Sequence, residues 1–266
     1  KRTPKVVLCL HEFVAMSAAH GHFMVSGQPQ VVLVHVGVGT QQLGGALHNA
    51  QRSRAAVLLC AGTTPYTSTG ETRGGRNTQV HWLQDQFDQA GAVRDYVKWY
   101  YEMKCPDHIQ EAVPRAFQVA MTEPCGPVYL MLPREILMQK NSEKADIKGK
   151  FPPAISPEVD SSALATLAQW LIDAQRPLIL TGHSGRNVKS IPPLVQLAET
   201  LAIPVVDSRN RMNFASHHPC WQGSDPSSYI TKADLVLIID HDVPYIPSFH
   251  CPSPGAKVVY MDMDPV

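Results

Sequence analysis

The sequence predicts an α/β protein: two successive three-layer α/β/α units with mainly parallel sheets. Three observations carry that reading. Strand-like and helix-like segments alternate from the first residues onward. A proline-bearing stretch with little periodicity, 141–162, interrupts the alternation. The same alternation then resumes and runs to the end of the 266 residues. A rhythm of this kind is that of βαβ units, in which a parallel sheet is covered by helices on its faces.

The elements follow in order. Val6–Leu10 is five apolar residues in a row and reads as a buried strand. Phe13–Val25 reads as a helix, with Phe13, Met16, His20 and Phe23 at helical spacing, and Gly27-Gln28-Pro29 breaks it. Gln30–Val36 is a second strand. Thr40–Arg52 is a second helix with Thr40 as its N-cap, and Ala56–Ala61 is a third strand. Residues 63–80 form a long polar loop bearing Gly70, Gly74 and Gly75, of a length that compact domains keep for function or for mobile segments. Regular structure resumes over Trp82–Gln89. A helix spans about Asp107 to Thr122, opened by Pro106, with Pro114 marking a kink or a later start. Gly126–Leu132 is another strand.

Residues 141–162 read as a linker, with Pro152-Pro153 and Pro157 among charged residues. The domains are therefore expected at 1–140 and 163–266. In the second, Ala163–Ala174 and Ile191–Leu201 are helices. Pro177–Leu180, Pro204–Val206, Ala233–Asp240 and Lys257–Met261 are strands, and Gly182-His183-Ser184-Gly185 is a glycine turn. The sequence stops just past a strand with no closing helix, which reads as an unfinished architecture.

Composition narrows the function classes. Lys+Arg and Asp+Glu are 23 each, so the formal net charge is zero and there is no electrostatic case for nucleic acid or an anionic membrane. No run approaches the roughly 20 apolar residues of a membrane span, and no signal peptide is visible. The start at Lys1 reads as a trimmed chain. The six cysteines, Cys9, Cys60, Cys105, Cys125, Cys220 and Cys251, form no C-x-x-C pair and read as reduced thiols of an intracellular, cytoplasmic protein, an organelle remaining open.

Candidate chemistry centres on His11-Glu12, where an apolar run gives way to a helix. Strand ends are where α/β folds collect their chemistry, and a carboxylate partly buried there needs a compensating partner. Glu12 is either a working group or a helix N-terminal carboxylate stabilised by the macrodipole. Gly37-Val38-Gly39 follows a strand and precedes a helix. It reads equally as a tight turn or as a loop that lets a ligand approach the backbone, and it lacks the third glycine of a dinucleotide fingerprint. Asp240-His241-Asp242 reads as a metal site or a solvated loop. No H-E-x-x-H or G-x-S-x-G motif occurs, so neither a zinc protease nor a serine hydrolase is supported.

Taken in order, His11-Glu12, Val34 to Gln42, Gly44 to Ala50, Val57 to Gly62 and Gly126 to Leu130 resemble the pyrimidine-binding domain of thiamine-diphosphate-dependent enzymes of the acetolactate synthase and benzoylformate decarboxylase type. Residues 163–266 resemble that family's central domain, through Arg176–Gly182, Leu197–Val206, Ala233–Asp240 and Val258–Pro265. The resemblance implies an enzyme acting on a 2-keto acid by decarboxylation or carboligation, a lyase or transferase. It implies that Glu12 hydrogen-bonds the pyrimidine ring of thiamine diphosphate and favours its imino tautomer. Gly37 and Gly39 match the family's Gly-Pro-Gly turn, with Val38 in place of proline. Gln42 falls where many relatives have asparagine, Thr63 where several have glutamine, and Gln84 lies in a stretch resembling the one near substrate. The resemblance further implies a homodimer or homotetramer with a shared site. The family holds the diphosphate through Mg²⁺ in a third domain with a Gly-Asp-Gly motif, and that motif is not in these residues. No metal ligand is expected here. The chain is accordingly expected to be a fragment, missing the pyrimidine domain's first elements and inactive alone. A non-catalytic scaffold, or an FAD- or CoA-binding module at Gly182–Gly185, is the alternative.

Overall fold

The computed structural model describes residues 4–140, 151–208 and 211–264. The chain divides into two compact units, Lys1–Ile155 and Ser156–Val266. The break falls inside the stretch read as a linker; its first part, 141–150, lies outside the described residues.

In the first unit, α1 (Glu12–Ser26), α2 (Val36–Gln41), α3 (Gly44–Arg52), α4 (Val80–Leu83), α5 (Ile109–Met121) and α6 (Arg134–Leu137) surround one sheet. Its strands are β1 (Gln30–Val34), β2 (Val57–Thr63), β3 (Tyr100–Glu102) and β4 (Val128–Pro133), all parallel and ordered β1-β2-β4-β3. The register pairs Gln30 with Val57 and Thr63 with Pro133. Val57–Ala61 is buried throughout, as expected of a parallel strand with helices on both faces. The helices reach the sheet through residues at helical spacing: Met16, Ala19 and Phe23 from α1, and Ala112, Ala116 and Ala120 from α5. The three alanines, four residues apart, bring the α5 backbone close to the sheet. α5 runs unbroken through Pro114. Gly27 ends α1 at φ 68°, with its N–H donating to Phe23 O, so the expected glycine stop is observed.

The second unit contains α7 (Ser161–Asp173), α8 (Ile191–Leu201) and α9 (Ser227–Ile230). Its parallel sheet consists of β5 (Pro177–Thr181), β6 (Val205–Asp207), β7 (Leu235–Ile239) and β8 (Lys257–Met261), ordered β6-β5-β7-β8. Alternate strand residues enter two separate cores. Ile179, Val205, Leu235 and Leu237 pack with Leu167, Leu171 and Leu194, whereas Leu178, Leu180, Val206, Val236 and Ile238 pack with Ile230. Two cores fed by the two faces of one sheet make the three-layer arrangement.

Four expectations are corrected. Val6–Leu10 is not a strand. It pairs with no described segment, and Val6, Leu8 and Leu10 are about as exposed as in an extended chain, at 89%, 91% and 102%. An apolar run expresses a preference for burial, but only a hydrogen-bonded neighbour makes it a strand. Thr40 is not an N-cap: α2 begins at Val36, and the Thr40 hydroxyl points back into the helix onto Val36 O at 2.8 Å. Within Trp82–Gln89 only the end of the short α4 is regular. Finally, β3 is a strand the sequence did not announce, since three residues ending in Glu102 are too short for an alternation to register.

Candidate functional site

The carboxyl end of the first sheet gathers most of the expected residues. His11 caps α1, its Nδ1 accepting the Phe13 N–H at 3.1 Å. That places Glu12 at the first helical position, with its side chain 31% exposed. The same His11 Nδ1 lies 3.9 Å from Glu12 Oε2. A ring nitrogen that accepts from Phe13 carries no proton to give to a carboxylate, so the cap and the ion pair exclude one another. Among the described residues none donates a hydrogen bond to Glu12.

Opposite Glu12 stands Gly39, in α2 just beyond the end of β1. A methyl group built on Gly39 would meet Glu12 Oε1 at 3.4 Å and Val34 Cβ at 3.2 Å. Glycine here leaves open the space in front of the carboxylate. Two residues earlier, the position a Cβ would take on Gly37 is filled by the Gln86 amide, with Oε1 at 2.0 Å. Gln86 Oε1 is itself buried and has no hydrogen-bond partner. The structure thus brings Glu12 to Gly39, and Gly37 to Gln86. Gln86 was not singled out from sequence, where Gln84 two residues earlier was preferred. Gln84 is half-buried, and its recorded contact is a backbone one, its N–H donating to Val80 O at 3.0 Å. Thr63 ends β2 beside Pro133. Gln42 is the exposed C-cap of α2, and its side chain touches none of the others by a hydrogen bond.

A second residue missed from sequence is Glu135, fully buried at the start of α6. Its Oε1 accepts from both Thr67 N (2.9 Å) and Thr67 Oγ1 (2.8 Å). The same loop is tied by Arg76 Nε to Pro65 O at 2.7 Å, by an Arg76–Asp85 ion pair and by Arg134 to Asn77 at 3.0 Å. The loop after β2 is therefore fastened along its length. Beneath the site, burial pushes the Cys60 thiol up to about 12, so it is no nucleophile near neutral pH.

In the second unit the glycine turn is already engaged. The Gly185 N–H donates to Asn213 Oδ1 at 2.8 Å, and a Cβ on Gly185 would lie 2.1 Å from Met212 O. His183 Nε2 meets Asp242 at 3.0 Å, and Arg186 pairs with Asp240. Among the described residues no group of three or more His, Cys, Asp or Glu side chains could hold a metal, Asp240-His241-Asp242 included.

These features define a class: α/β proteins that receive a small organic group at the carboxyl end of a parallel sheet, with a carboxylate facing a glycine-lined gap. Residues 1–92 match the thiamine pyrophosphate enzyme N-terminal TPP binding domain, and residues 164–266 match the thiamine pyrophosphate enzyme central domain. The chain belongs to the thiamine pyrophosphate enzyme family, of which it carries the N-terminal and central domains. It is 27% identical to a benzoylformate decarboxylase of Pseudomonas aeruginosa, over 98% of this chain and 50% of that one. It is 23% identical to an acetolactate synthase of Bacillus subtilis, over 97% and 45%. The crystal structure of benzoylformate decarboxylase from Polynucleobacter necessarius superposes with a TM-score of 0.77 at 25% identity, over 97% of this chain and 49% of that one. The chain spans about half the length of the relatives it matches. No helix among the described residues is long and apolar enough to cross a membrane.

Proposed function

We propose that this chain supplies the pyrimidine half of a thiamine-diphosphate site in an enzyme acting on 2-keto acids, by decarboxylation or by carboligation of the acetolactate synthase kind. One observation carries the reading: a carboxylate without a hydrogen-bond donor, facing a gap that Gly39 keeps open at the end of β1. The residues fit an aminopyrimidine ring. Glu12 offers an oxygen to a ring nitrogen, Gly39 lets the ring approach the α2 backbone, Gly37 admits the Gln86 amide, and the unpartnered Gln86 Oε1 is an acceptor in want of an N–H. When bound, thiamine diphosphate supplies an electron sink for the pair released as a carbon–carbon bond breaks.

The work of this chain is to place protons. Glu12 would hold a proton at a ring nitrogen of a bound aminopyrimidine, and would thereby favour its imino tautomer. Gln42 and Thr63 are candidates for contacts to the cofactor, and Gln84 is the candidate for the substrate side. The diphosphate and its Mg²⁺ are assigned to protein groups other than the described residues, in a homodimer or homotetramer with a shared site inside the cell. The 266-residue chain alone is accordingly inactive with thiamine diphosphate, Mg²⁺ and a 2-keto acid, and robust turnover by it would overturn that part.

The central test is Glu12→Gln in the protein expressed from its complete coding sequence. Turnover of a 2-keto acid should fall by about 10²–10⁴-fold, the usual range for a lost proton-transfer group, while the melting temperature stays close to the parent's. Unchanged turnover would remove Glu12 from the mechanism.

A further inference from the structure

Beneath the candidate site lies a buried polar chain whose direction follows from counting protons. Thr40 Oγ1 donates to Val36 O at 2.8 Å, which uses its one hydrogen. The Tyr129 hydroxyl, 2.9 Å from Thr40 Oγ1, must therefore donate to it. Tyr129 in turn accepts from Gln89 Nε2 at 2.7 Å, and the other Gln89 N–H goes to Gly62 O at 2.8 Å. Every donor in the chain is spent and each step runs one way, from Gln89 through Tyr129 and Thr40 to Val36. Tyr129 and Thr40 are fully buried, and Gln89 nearly so.

The chain joins three segments of the site. Thr40 and Val36 belong to α2, which carries Gly37 and Gly39. Gly62 immediately precedes Thr63. Gln89 closes the stretch containing Gln84 and Gln86. α2 also sits tight on β2, where a Cβ on Gly62 would come within 3.3 Å of Val36 Cγ1. Apolar side chains would fill this volume as well, but without fixing one arrangement, whereas a fully satisfied polar network selects a single geometry.

We propose that Tyr129 is a positioning residue for the cofactor gap: by donating to Thr40 and accepting from Gln89, its hydroxyl holds α2, the end of β2 and the Gln84–Gln89 stretch in the one register that puts Gly39 opposite Glu12 and Gln86 over Gly37. This rests on the thiamine-diphosphate reading above. Burial also pushes the Tyr129 phenol upward, so the donor keeps its proton across the working range of pH.

The test uses Tyr129→Phe, Thr40→Val and Thr40→Ser in the protein expressed from its complete coding sequence. Affinity for thiamine diphosphate with Mg²⁺ is measured by titration on the folded protein, alongside kcat and KM for a 2-keto acid. Tyr129→Phe and Thr40→Val should each weaken cofactor binding by about three- to tenfold, the worth of one directed hydrogen bond, and lower kcat with KM for the keto acid unchanged. Their double variant should be little worse than either alone, and Thr40→Ser, which keeps the hydroxyl, should bind as the parent does. A purely structural role would lower the melting temperature and leave cofactor affinity per folded molecule as it was, and that result overturns the proposal. Should Tyr129→Phe fail to fold, the Thr40 pair decides: equal affinity in Thr40→Val and Thr40→Ser refutes it. Glu12→Gln separates the two ideas, because a silent Glu12→Gln sinks the cofactor reading, whereas a damaging Glu12→Gln beside silent Tyr129 and Thr40 variants sinks only the positioning role.

Discussion

The two units present the carboxyl ends of two four-stranded parallel sheets, and they use the glycines there differently. In the first, Glu12 has no donor among the described residues, Gln86 Oε1 is buried without a partner, and Gly39 leaves the space between α2 and α1 open. In the second, the glycine turn is tied down, although His183 Nδ1 and Ser208 Oγ beside it are buried without a hydrogen-bond partner. Asn213 holds Gly182 O, Asp207 and the Gly185 N–H, while His183 and Arg186 are engaged by Asp242 and Asp240. What differs is the glycines: Gly39 leaves room before a carboxylate, whereas the Gly185 turn is already occupied by Asn213 and Met212. A carboxylate left without a donor in a half-buried place is costly to keep unless something else uses it. The contrast agrees with the ligand place proposed in the first unit and gives the glycine turn of the second a structural task.

Substitutions that act on one end and spare the other sharpen this contrast. The largest effect belongs to Glu12→Gln, which should cost turnover about 10²–10⁴-fold with little change in melting. Asn213→Ala is its mirror image. Three short hydrogen bonds at a fully buried residue disappear, and denaturant unfolding should show a loss of about 2–4 kcal/mol, with thiamine-diphosphate affinity intact in whatever remains folded. A tenfold or greater fall in cofactor affinity per folded molecule would break the comparison. Gly39→Ala comes next. Its methyl group meets Val34 Cβ at 3.2 Å, but the roughly 1 kcal/mol of helix propensity gained offsets the crowding, so stability should move by less than about 1 kcal/mol. The same methyl stands before Glu12 Oε1, and titration should find cofactor binding weakened by about tenfold, on the order of 1.4 kcal/mol.

The smallest effect is a dependence on pH in the second unit. Burial, then the charge of His183, lowers His241 from its ordinary 6.5, against the opposing pull of Asp242, Asp207 and Asp262. Nδ1 also accepts the Val243 N–H at 3.2 Å, which needs a neutral ring. Because the unfolded chain takes up this proton more readily, the contribution is complete above pH 6.5. It is lost as pH falls from 6.5 through the lowered value of the folded protein. Unfolding of this unit followed between pH 7.5 and 5.5 should show that slope, and His241→Asn should flatten it.

Much of this was legible in the sequence, for identifiable reasons. Alternation of strands and helices is a local pattern, and α8 and β8 were read to the residue as Ile191–Leu201 and Lys257–Met261. Glu12, Gly37 and Gly39 stood out because a charge after an apolar run and paired glycines after a strand are local anomalies too. What escaped depends on partners distant in the chain. Tyr129 looks like any strand aromatic until Thr40, 89 residues away, is placed against it. Glu135 looks like a surface residue until Thr67 arrives, 68 residues away. Gln84 and Gln86 are neighbours on paper, and only the fold of the irregular stretch decides which amide lies over Gly37. Val6–Leu10 failed in the reverse sense, since its composition promised a neighbour that the described residues do not contain.

That last segment has a practical consequence for anyone handling the chain in solution. Five uncharged apolar side chains run beside Phe13 and Val14, themselves partly exposed, and the edge strand β1 shows Val31 and Leu33 to solvent at 56% and 72%. Segments of this kind favour self-association, and only net charge keeps colliding copies apart. The chain carries none at neutrality, with an isoelectric point near 7.3. Its colloidal minimum therefore sits in the buffers most often chosen for enzymes, and moving the pH well above 7.3 is the simplest means of keeping it dispersed.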